Sequence, residues 1–290
     1  MIPLELFDDF EETPTWLVKS VSKAMRILSC FTLENPEVSL ADISRNLNIP
    51  KNTALNLLRT LELYGMVTRT SSSMNYRLGY NIMHLNYCIQ SSMPAIRTAY
   101  PVLENLQQTT GKTIYLTTHI NGRVFYLDVI HQNQRIFSYS SSGRFHTMHN
   151  TGCGKAMMAF LPEESIRRII SEHGLAGHTE YTITTPEALM EELALTRRRG
   201  YAVDQQEDTL GIACIAAPIL NAQGYPTAAV SISGTYHTMQ GDLGLQYLES
   251  LLNTCHTLYA SANEFPAGQI YLLNQKAAPG KTAGGPCAGN

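Results

Sequence analysis

The segment 39–65, SLADISRNLNIPKNTALNLLRTLELYG, constrains the fold of this chain more than any other stretch. Its apolar residues recur at helical spacing in two short runs, which are separated at Pro50, a residue that supplies no amide hydrogen to a helix. Ser39 is well placed to cap the first helix, because Asp42 follows three residues later. Gly65 suits the left-handed residue that ends a helix. The segment therefore predicts two helices joined by a tight turn.

The second of these predicted helices has an apolar face and a polar face. The apolar face comprises Ala54, Leu57, Leu58 and Leu61, and the polar face comprises Asn52, Asn56, Arg59 and Thr60. Amide and guanidinium groups read base edges and hold phosphates, and a helix-turn-helix places such a face in the major groove of DNA. The alternative is an ordinary helical hairpin whose polar face is only solvated.

Residues 66–70 and 75–79 predict a short β-hairpin after the two helices. We expect Val67, Tyr76 and Leu78 to face the helices and Arg69 and Arg77 to face outward. A basic hairpin in this position makes a winged helix-turn-helix, whose wing lies along a phosphate backbone. The alternative is a hairpin that only covers the core. The predicted DNA-binding residues are Lys51, Asn52, Thr53, Asn56, Arg59, Arg69 and Arg77. For Asn52, the alternative role is to cap its helix.

The distribution of charge is more informative than its sum. The chain has 290 residues and a net charge of −3, yet residues 16–80 hold eight Lys or Arg against four acidic residues. Such a length allows about two domains. The surplus of positive charge predicts modest sequence-independent affinity for DNA, which a dimer would double.

The sequence also indicates where the protein works. No stretch is long and apolar enough to span a bilayer, and the acidic N-terminus has the wrong charge for a signal peptide. Six cysteines occur without a CxxC pair, which favours free thiols over a disulfide framework. We therefore expect a cytoplasmic protein, and the sequence predicts no cofactor.

The remainder of the chain predicts an α+β fold with an antiparallel sheet and flanking helices. The domain boundaries that we expect are an acidic arm at 1–15, the DNA-binding domain at 16–80, a linker helix at 81–92, an effector domain at 93–265 and a disordered tail at 266–290. The DNA-binding domain should begin with a helix at about 17–33, whose predicted buried stripe is Val18, Val21, Met25, Leu28 and Phe31. In the effector domain, strands are expected at 113–120, 123–131, 135–140, 201–204, 212–220 and 227–233. Helices are expected at 153–161, 163–173 and 186–199, with a last amphipathic helix near 245–262.

Four sequence blocks together resemble the IclR family of transcriptional regulators. They are SLADISRNLNIPKNTALNLLRTLELYGMV and YRLG in the N-terminal part, and HNTGCGKAMMAFLP and RGYAVDQQEDTLGIACIAAPILNAQGYPTAAVSISGT in the C-terminal part. The resemblance implies a winged helix-turn-helix, a linker helix and a GAF-like effector domain. It also implies assembly into dimers or dimers of dimers, and control of operator binding by a small molecule. The family usually has an arginine where this chain has Asn56, so Asn56 either reads adenine or faces solvent.

The small residues of 151–155, TGCGK, open a predicted helix, where free backbone amides favour an anion. The alternative is a tight turn into a helix. This is not a phosphate-binding P-loop, because His149 and Ala156 stand where that motif needs Gly and Ser or Thr. Cys153 with His149 is a conceivable nucleophile pair, but no third group to orient it is identifiable, so no catalytic residue is predicted. His146, His149 and Cys153 have metal-ligand spacing without a fourth ligand, so no metal is predicted.

The resemblance to the IclR family also implies an effector site. The positions that line the pocket in members that bind small oxo-acids match Gly152, Cys153, Asp204, Cys214, Ser231 and Ser233. Ser231 and Ser233 alternate along one predicted strand and share a face, for which simple solvation is the alternative. We expect a small carboxylate effector. An ionised Asp204 would repel it, so Asp204 must accept from a ligand hydroxyl, orient its neighbours or be protonated.

These observations predict a ligand-responsive DNA-binding regulator, specifically a repressor of a catabolic operon, and not an enzyme. Its expected partners are operator DNA, a small carboxylate or oxo-acid, and further copies of itself, with the helices at 17–33 and 81–90 as the dimer contact. The alternative is a small-molecule-binding enzyme or sensor whose helix-turn-helix serves only for dimerisation.

Overall fold

The computed structural model describes residues 15–32, 35–70, 73–131, 145–239 and 242–265. The strand predicted at 135–140, the tail at 266–290 and the arm, apart from residue 15, lie outside these ranges. None of the helices in the described ranges is long and apolar enough to cross a membrane.

The N-terminal part forms three helices and a β-hairpin. The elements are α1 (Lys19–Leu28), α2 (Leu40–Asn46), α3 (Lys51–Leu63), β1 (Val67–Arg69) and β2 (Tyr76–Leu78). Ser39 caps α2 as predicted, because its Oγ accepts a hydrogen bond of 3.1 Å from the backbone N–H of Asp42. The turn before α3 passes through Asn48, which has a left-handed φ of 50°. The two strands pair in an antiparallel register that places Val67 opposite Leu78.

The core of this part differs from the prediction at α1. That helix ends at Leu28 rather than near residue 33, and Val18, Val21 and Met25 are 58%, 54% and 46% exposed. The helix contacts the core instead through Ile27, which is fully buried against α2 and α3 residues. The predicted burial of Leu78 is also wrong: it is 42% exposed, because it ends its strand beyond the core that covers Tyr76.

Two further helices lead away from the wing, namely α4 (Tyr80–Ser92) and α5 (Pro94–Thr110). The start of α4 is fixed to the end of α3, because the Asn81 side chain donates a hydrogen bond of 2.7 Å to the carbonyl of Tyr64. The backbone at Gly79 also approaches Gly65 so closely that a Cβ on Gly79 would lie 2.1 Å from the Gly65 carbonyl oxygen. A larger residue at 79 would therefore separate the linker helix from α3.

The C-terminal part is built on a six-stranded antiparallel sheet with strand order β5-β4-β3-β8-β7-β6. Its strands are β3 (Thr113–Ile120), β4 (Arg123–Ile130), β5 (Phe145–Thr147), β6 (Ala202–Gln205), β7 (Ile212–Leu220) and β8 (Pro226–Thr235). Its other helices are α6 (Gly152–Met158), α7 (Glu163–His173), α8 (Pro186–Arg199) and α9 (Asp242–Leu258). Strand β5 was not predicted from the sequence.

The two faces of the sheet carry two separate cores. One face packs on α5 and α9 through alternating apolar residues such as Ile114, Val230 and Ile232. The other face packs on α6 through small residues such as Ala216 and Ala229. Small side chains on this second face let α6 approach the sheet closely, and this is where the predicted effector residues lie. The α+β architecture agrees with the prediction.

Candidate DNA-binding and effector sites

The polar face of α3 is exposed, as predicted. Lys51, Asn52, Asn56 and Arg59 are exposed, while Thr53 is half-buried. The residue that caps the helix is Pro50, and no side-chain cap bond is present at this end. Asn52 therefore lies within the first turn and does not cap the helix, which removes the alternative role considered for it.

Arg69 and Arg77 are both exposed, but on opposite faces of the wing, because Arg69 pairs with Tyr76 across the hairpin. The guanidinium of Arg69 lies over the ring of Tyr76, 5.8 Å from its centroid, and its Nε donates to the carbonyl of Met74 at 3.4 Å. Arg77 pairs with Thr68 across the hairpin. The exposed side chains of α3 and the two exposed arginines of the wing are of the kinds that contact major-groove edges and phosphates.

A second surface of the N-terminal part is apolar and exposed. It is contributed by the start of the described chain, by α1 and by α4: Trp16, Val18, Val21, Met25, Tyr80, Met83, Leu85, Tyr87 and Ile89, which are 45–77% exposed. Large apolar side chains exposed in such numbers are typical of interaction sites in proteins. We refer to these nine residues as the apolar surface.

The sheet register brings three of the predicted effector residues into one row. Asp204 lies opposite Cys214, and Cys214 lies opposite Ser233. The row continues to Thr113 on β3, whose hydroxyl is 3.2 Å from Nδ1 of His131. Thr113 was not among the predicted residues, although its position at the start of an alternating strand could have indicated it.

Helix α6 lies directly over this row. A Cβ on Gly152 would be 2.6 Å from Sγ of Cys214, so only glycine fits at this position. Sγ of Cys214 is in turn 3.9 Å from Oδ2 of Asp204. The hydroxyl of Ser231 lies beside the thiol of the neighbouring Cys153, whose pKa it lowers. The structure therefore brings all six predicted effector residues to one side of the sheet.

Two further side chains of β3 belong to this group, and neither was predicted from the sequence. Tyr115 lies opposite Ser231, and its ring stacks edge-on against Tyr126 at 5.3 Å. The hydroxyl of Thr117 is fully buried beside Cys153 and donates a hydrogen bond of 3.2 Å to the carbonyl of Ala229. The aromatic rings supply apolar surface beside the serine and threonine hydroxyls, so the site combines both kinds of contact.

Burial disfavours the thiolate form of the two cysteines of the site. Cys153 is 2% exposed, and desolvation raises its pKa, although hydrogen bonds from Ser231 and Thr117 oppose the shift. The pKa of Cys214 is raised well above its usual value for the same reason. Nε2 of His149 is 3.1 Å from the carbonyl of Ala176. The geometry thus gives no support to a nucleophile pair of Cys153 and His149.

Asp204 is an acid whose environment favours the neutral form. Desolvation raises its pKa to about 7, and the nearby Glu207 adds to this effect, while a hydrogen bond from the backbone N–H of Glu207 opposes it. That hydrogen bond, to Oδ1 of Asp204, is 2.8 Å long. A neutral Asp204 would not repel an anionic ligand, which is one of the three roles that the sequence analysis allowed.

The histidines near α6 do not form a metal site. No group of three or more His, Cys, Asp or Glu side chains in the described ranges is arranged to hold a metal ion. His146 and His178 instead flank Oδ1 of Asp208, with Nδ1 atoms at 4.0 and 3.4 Å. Asn150 also donates to this oxygen, at 3.1 Å.

A buried ionic cluster behind the effector residues was not predicted. Lys155 is 1% exposed, and its Nζ hydrogen-bonds Oε1 of Glu207. Its Nζ is also 3.9 Å from Oε1 of Glu192, which accepts from Nη2 of Arg199 at 2.8 Å. A lysine among the small and apolar residues of 152–160 was the signal available in the sequence. We refer to these four residues as the ionic cluster.

These features suit a DNA-binding transcriptional regulator, and comparisons with known proteins agree. Residues 20–71 match the IclR helix-turn-helix domain, and residues 89–258 match the family described as bacterial transcriptional regulator IclR C-terminal. The chain belongs to the IclR family of bacterial transcriptional regulators.

Individual relatives support the same assignment. The HTH-type transcriptional regulator XynR of Escherichia coli is 31% identical over 217 residues, which cover 75% of this chain and 86% of the relative. The transcriptional repressor IclR of Escherichia coli is 28% identical over 230 residues, which cover 79% and 84%. The fold matches an IclR homologue from Microbacterium hydrocarbonoxydans, solved in complex with 4-hydroxybenzoate, with a TM-score of 0.74, 21% identity and coverage of 84% and 99%.

Proposed function

We propose that the chain is a cytoplasmic repressor of a catabolic operon, which leaves its operator when a small carboxylate binds the C-terminal domain. The observation that carries the DNA-binding part is the exposed polar face of α3 beside the basic wing. Lys51, Asn52, Thr53, Asn56 and Arg59 approach the major groove, and Arg69 and Arg77 approach phosphates. Relatives that are named repressors support the direction of control.

The test of this part is a gel shift with the DNA upstream of the genes that flank this one. Wild-type protein should bind specifically, and its affinity should fall as salt is raised. Arg77→Ala should weaken binding to all sequences alike and reduce the salt dependence, because it removes one phosphate contact. Arg167→Ala, an exposed change on α7, serves as the matched control. Altered base preference with an unchanged salt slope in Arg77→Ala would contradict the wing contact.

The effector proposal rests on the six residues gathered between α6 and the sheet. Ser231 and Ser233 each offer a hydroxyl that donates and accepts, which suits a carboxylate or carbonyl oxygen. The pKa of Asp204, raised to about 7 by burial, lets it face an anion as a neutral donor. Gly152 and Cys153 would place backbone amides toward the ligand, with Cys214 as a wall. The homologue bound to 4-hydroxybenzoate also holds a carboxylate compound.

Calorimetry with a panel of small acids tests this site. The panel contains 2-oxo and hydroxy acids together with 4-hydroxybenzoate, and it is applied to wild-type protein and to Ser231→Ala/Ser233→Ala. The double variant should bind the identified acid at least tenfold more weakly, whereas Ser171→Ala, an exposed serine on α7, should bind it as wild type does. Equal affinity in wild type and the double variant would place the pocket elsewhere.

Self-association is the third part of the proposal. A two-fold dimer reads two half-sites, which doubles the modest positive charge available to one DNA-binding domain. The apolar surface on α1 and α4 supports this assembly, because a single chain leaves it in contact with water. We therefore assign α1 and α4 to the contact between two copies of the chain.

A further inference from the structure

The side chain of Tyr126 adds a hydroxyl to the residues gathered between α6 and the sheet. Tyr126 lies on β4 opposite Thr117 of β3, and it packs against the core under α6. Its ring contacts two others: that of Tyr115, edge-on with the centroids 5.3 Å apart, and that of His146, with the centroids 4.9 Å apart. These aromatic neighbours fix the direction in which the Tyr126 side chain extends.

The surroundings of the Tyr126 hydroxyl agree with a position inside the effector site. Desolvation raises the pKa of Tyr126 well above its usual value, and Cys153, Cys214 and Asp208 add to this effect. Cys153 and Cys214 are two of the predicted effector residues, so the hydroxyl extends from β4 toward them. Because the hydroxyl stays protonated near neutral pH, it can donate a hydrogen bond.

This donor is not used within the part of the chain that the structure describes. No hydrogen bond to the Tyr126 hydroxyl is present there, whereas the hydroxyls of Thr117 and Thr118 on the adjacent strand donate to backbone carbonyls at 3.2 and 2.9 Å. Tyr126 is half-buried, and its oxygen is not one of the fully buried atoms that lack a partner. A tyrosine hydroxyl in such a place usually has a partner, so this one is available to a ligand.

The charge beside Tyr126 limits the kind of group that it can bind. The Asp208 carboxylate is close enough to affect the pKa of Tyr126, and its Oδ1 accepts from the amide of Asn150 at 3.1 Å. A ligand carboxylate at this point would be repelled by Asp208, whereas an uncharged oxygen would not. The group that accepts from Tyr126 is therefore a hydroxyl or a carbonyl.

The sheet also limits the size of the ligand. Ser231 and Ser233 lie on β8, which is separated from β4 by the single strand β3. Two strand spacings amount to about 10 Å, and the Tyr126 side chain covers part of this distance. Tyr115 lies on the intervening strand, opposite Ser231. A small acid with a second oxygen a few bonds from its carboxylate can thus reach both the serines and Tyr126.

We propose that Tyr126 determines the specificity of the effector site, and that the effector is a small carboxylic acid with an uncharged oxygen at the end remote from its carboxylate. The carboxylate binds at Ser231 and Ser233, and the remote oxygen accepts a hydrogen bond from Tyr126. The ring of Tyr115 provides apolar surface for the carbon skeleton between them. This assignment rests on the proposed effector function.

The experiment is calorimetry on the full chain with matched pairs of acids that differ only in the remote oxygen. The pairs are 4-hydroxybenzoate with benzoate, 4-oxopentanoate with pentanoate, and 4-hydroxybutyrate with butyrate. In at least one pair, the acid with the remote oxygen should bind wild-type protein about tenfold more tightly than its counterpart. This ratio should fall to about one in Tyr126→Phe, which keeps the ring and removes the hydroxyl. Tyr259→Phe, an exposed residue after α9, should keep the wild-type ratio.

The ratio within a pair separates recognition from a structural role. If Tyr126→Phe weakens both acids of a pair alike and leaves their ratio unchanged, Tyr126 only supports the site and the assignment is overturned. If acids bind in a manner that depends on Ser231 and Ser233, but no pair shows a preference for the remote oxygen, the effector proposal stands and this one is wrong. If none of the acids binds the wild-type protein, both proposals are wrong.

Discussion

Among the described residues up to 80, Thr70 is the single polar side chain that is buried, whereas the C-terminal part buries Lys155, Asp204 and Glu207 along with several threonines. The N-terminal part instead leaves large apolar side chains such as Met83 and Tyr87 on its surface. The N-terminal part is suited to contacts with macromolecules, because its charged and its apolar side chains are both accessible. The C-terminal part is suited to the recognition of small molecules, because burial strengthens polar contacts and makes unpaired polar groups unfavourable.

The largest effect is expected when the buried positive charge of Lys155 is removed from the C-terminal part. Lys155→Met should lower the free energy of unfolding by about 3–5 kcal/mol, because it leaves Glu207 without its cation. The exposed ion pair of Arg167 and Glu163 has the same chemistry, and Arg167→Ala should cost less than about 1 kcal/mol. Urea denaturation measures both. The double variant Lys155→Met/Glu207→Gln should be more stable than Lys155→Met alone. Similar losses of unfolding free energy in Lys155→Met and Arg167→Ala would show that the buried ion pair contributes no more to stability than the exposed one.

The next largest effect concerns the apolar surface of the N-terminal part. Met83→Glu/Tyr87→Glu should weaken dimerisation at least a hundredfold, or about 3 kcal/mol, because it would place two charges in an apolar interface. Sedimentation at micromolar concentration measures the change. Asn105→Glu/Gln108→Glu, on the exposed face of α5, is the matched control and should remain dimeric. A wild-type protein that sediments only as a monomer, with or without DNA, would disprove the assembly.

A smaller effect is expected from two substitutions in the helix-turn-helix, one of which should change DNA recognition and the other the stability of the protein. Asn52→Ala should reduce the difference in binding free energy between the preferred base and other bases at one base pair by about 1–3 kcal/mol. The stability of the protein should not change, because Asn52 is exposed and does not cap α3. Ser39→Ala should do the opposite, since Ser39 does cap α2, and should cost about 1 kcal/mol of stability. Thermal unfolding and gel shifts with single-base operator variants measure the pair. A loss of stability in Asn52→Ala would contradict the assignment.

The sequence predicted local features well where one periodicity dominates. Helices α7 and α8 and strand β7 begin and end as expected, and the core and outer faces of α3 are assigned correctly. The periodicity of α1 led to a wrong prediction of which residues are buried. An apolar stripe indicates a contact surface, but the same stripe is expected whether the helix packs inside the chain or against another copy. The stripe of Val18, Val21 and Met25 is exposed in the single chain, while Ile27 on another face packs in the core.

The candidate effector site was predicted by resemblance, and its environment was not. Spacing alone does not show that Asp204, Cys214 and Ser233 share a row, because the pairing of β6 with β7 and of β7 with β8 is set by tertiary structure. The ionic cluster was missed for the same reason: Lys155 and Glu207 are separated by 52 positions in the sequence. A buried lysine becomes visible only when its partner is placed beside it.

A last prediction tests the protonation of Asp204 directly. The pKa of Asp204 is about 7 in the folded protein and 3.8 as a free side chain, so the folded state binds this proton more tightly than the unfolded state does. The contribution of Asp204 to the free energy of unfolding therefore falls as the pH rises from 3.8 to about 7. An anionic effector prefers the neutral carboxyl, so its affinity should fall up to about tenfold per pH unit above 7. Calorimetry from pH 6 to 8.5 measures this.

Asp204→Asn is the control for that measurement, because an amide keeps the shape and does not ionise. Its effector affinity should stay nearly constant over the same range and should match or exceed that of the wild type at pH 8. Glu207, Asp208 and Lys155 surround this carboxyl electrostatically and remain in the variant. A pH dependence that survives in Asp204→Asn would assign the titration to one of these neighbours, and Asp204 would then bind the effector as an ionised acceptor or act by orienting Glu207.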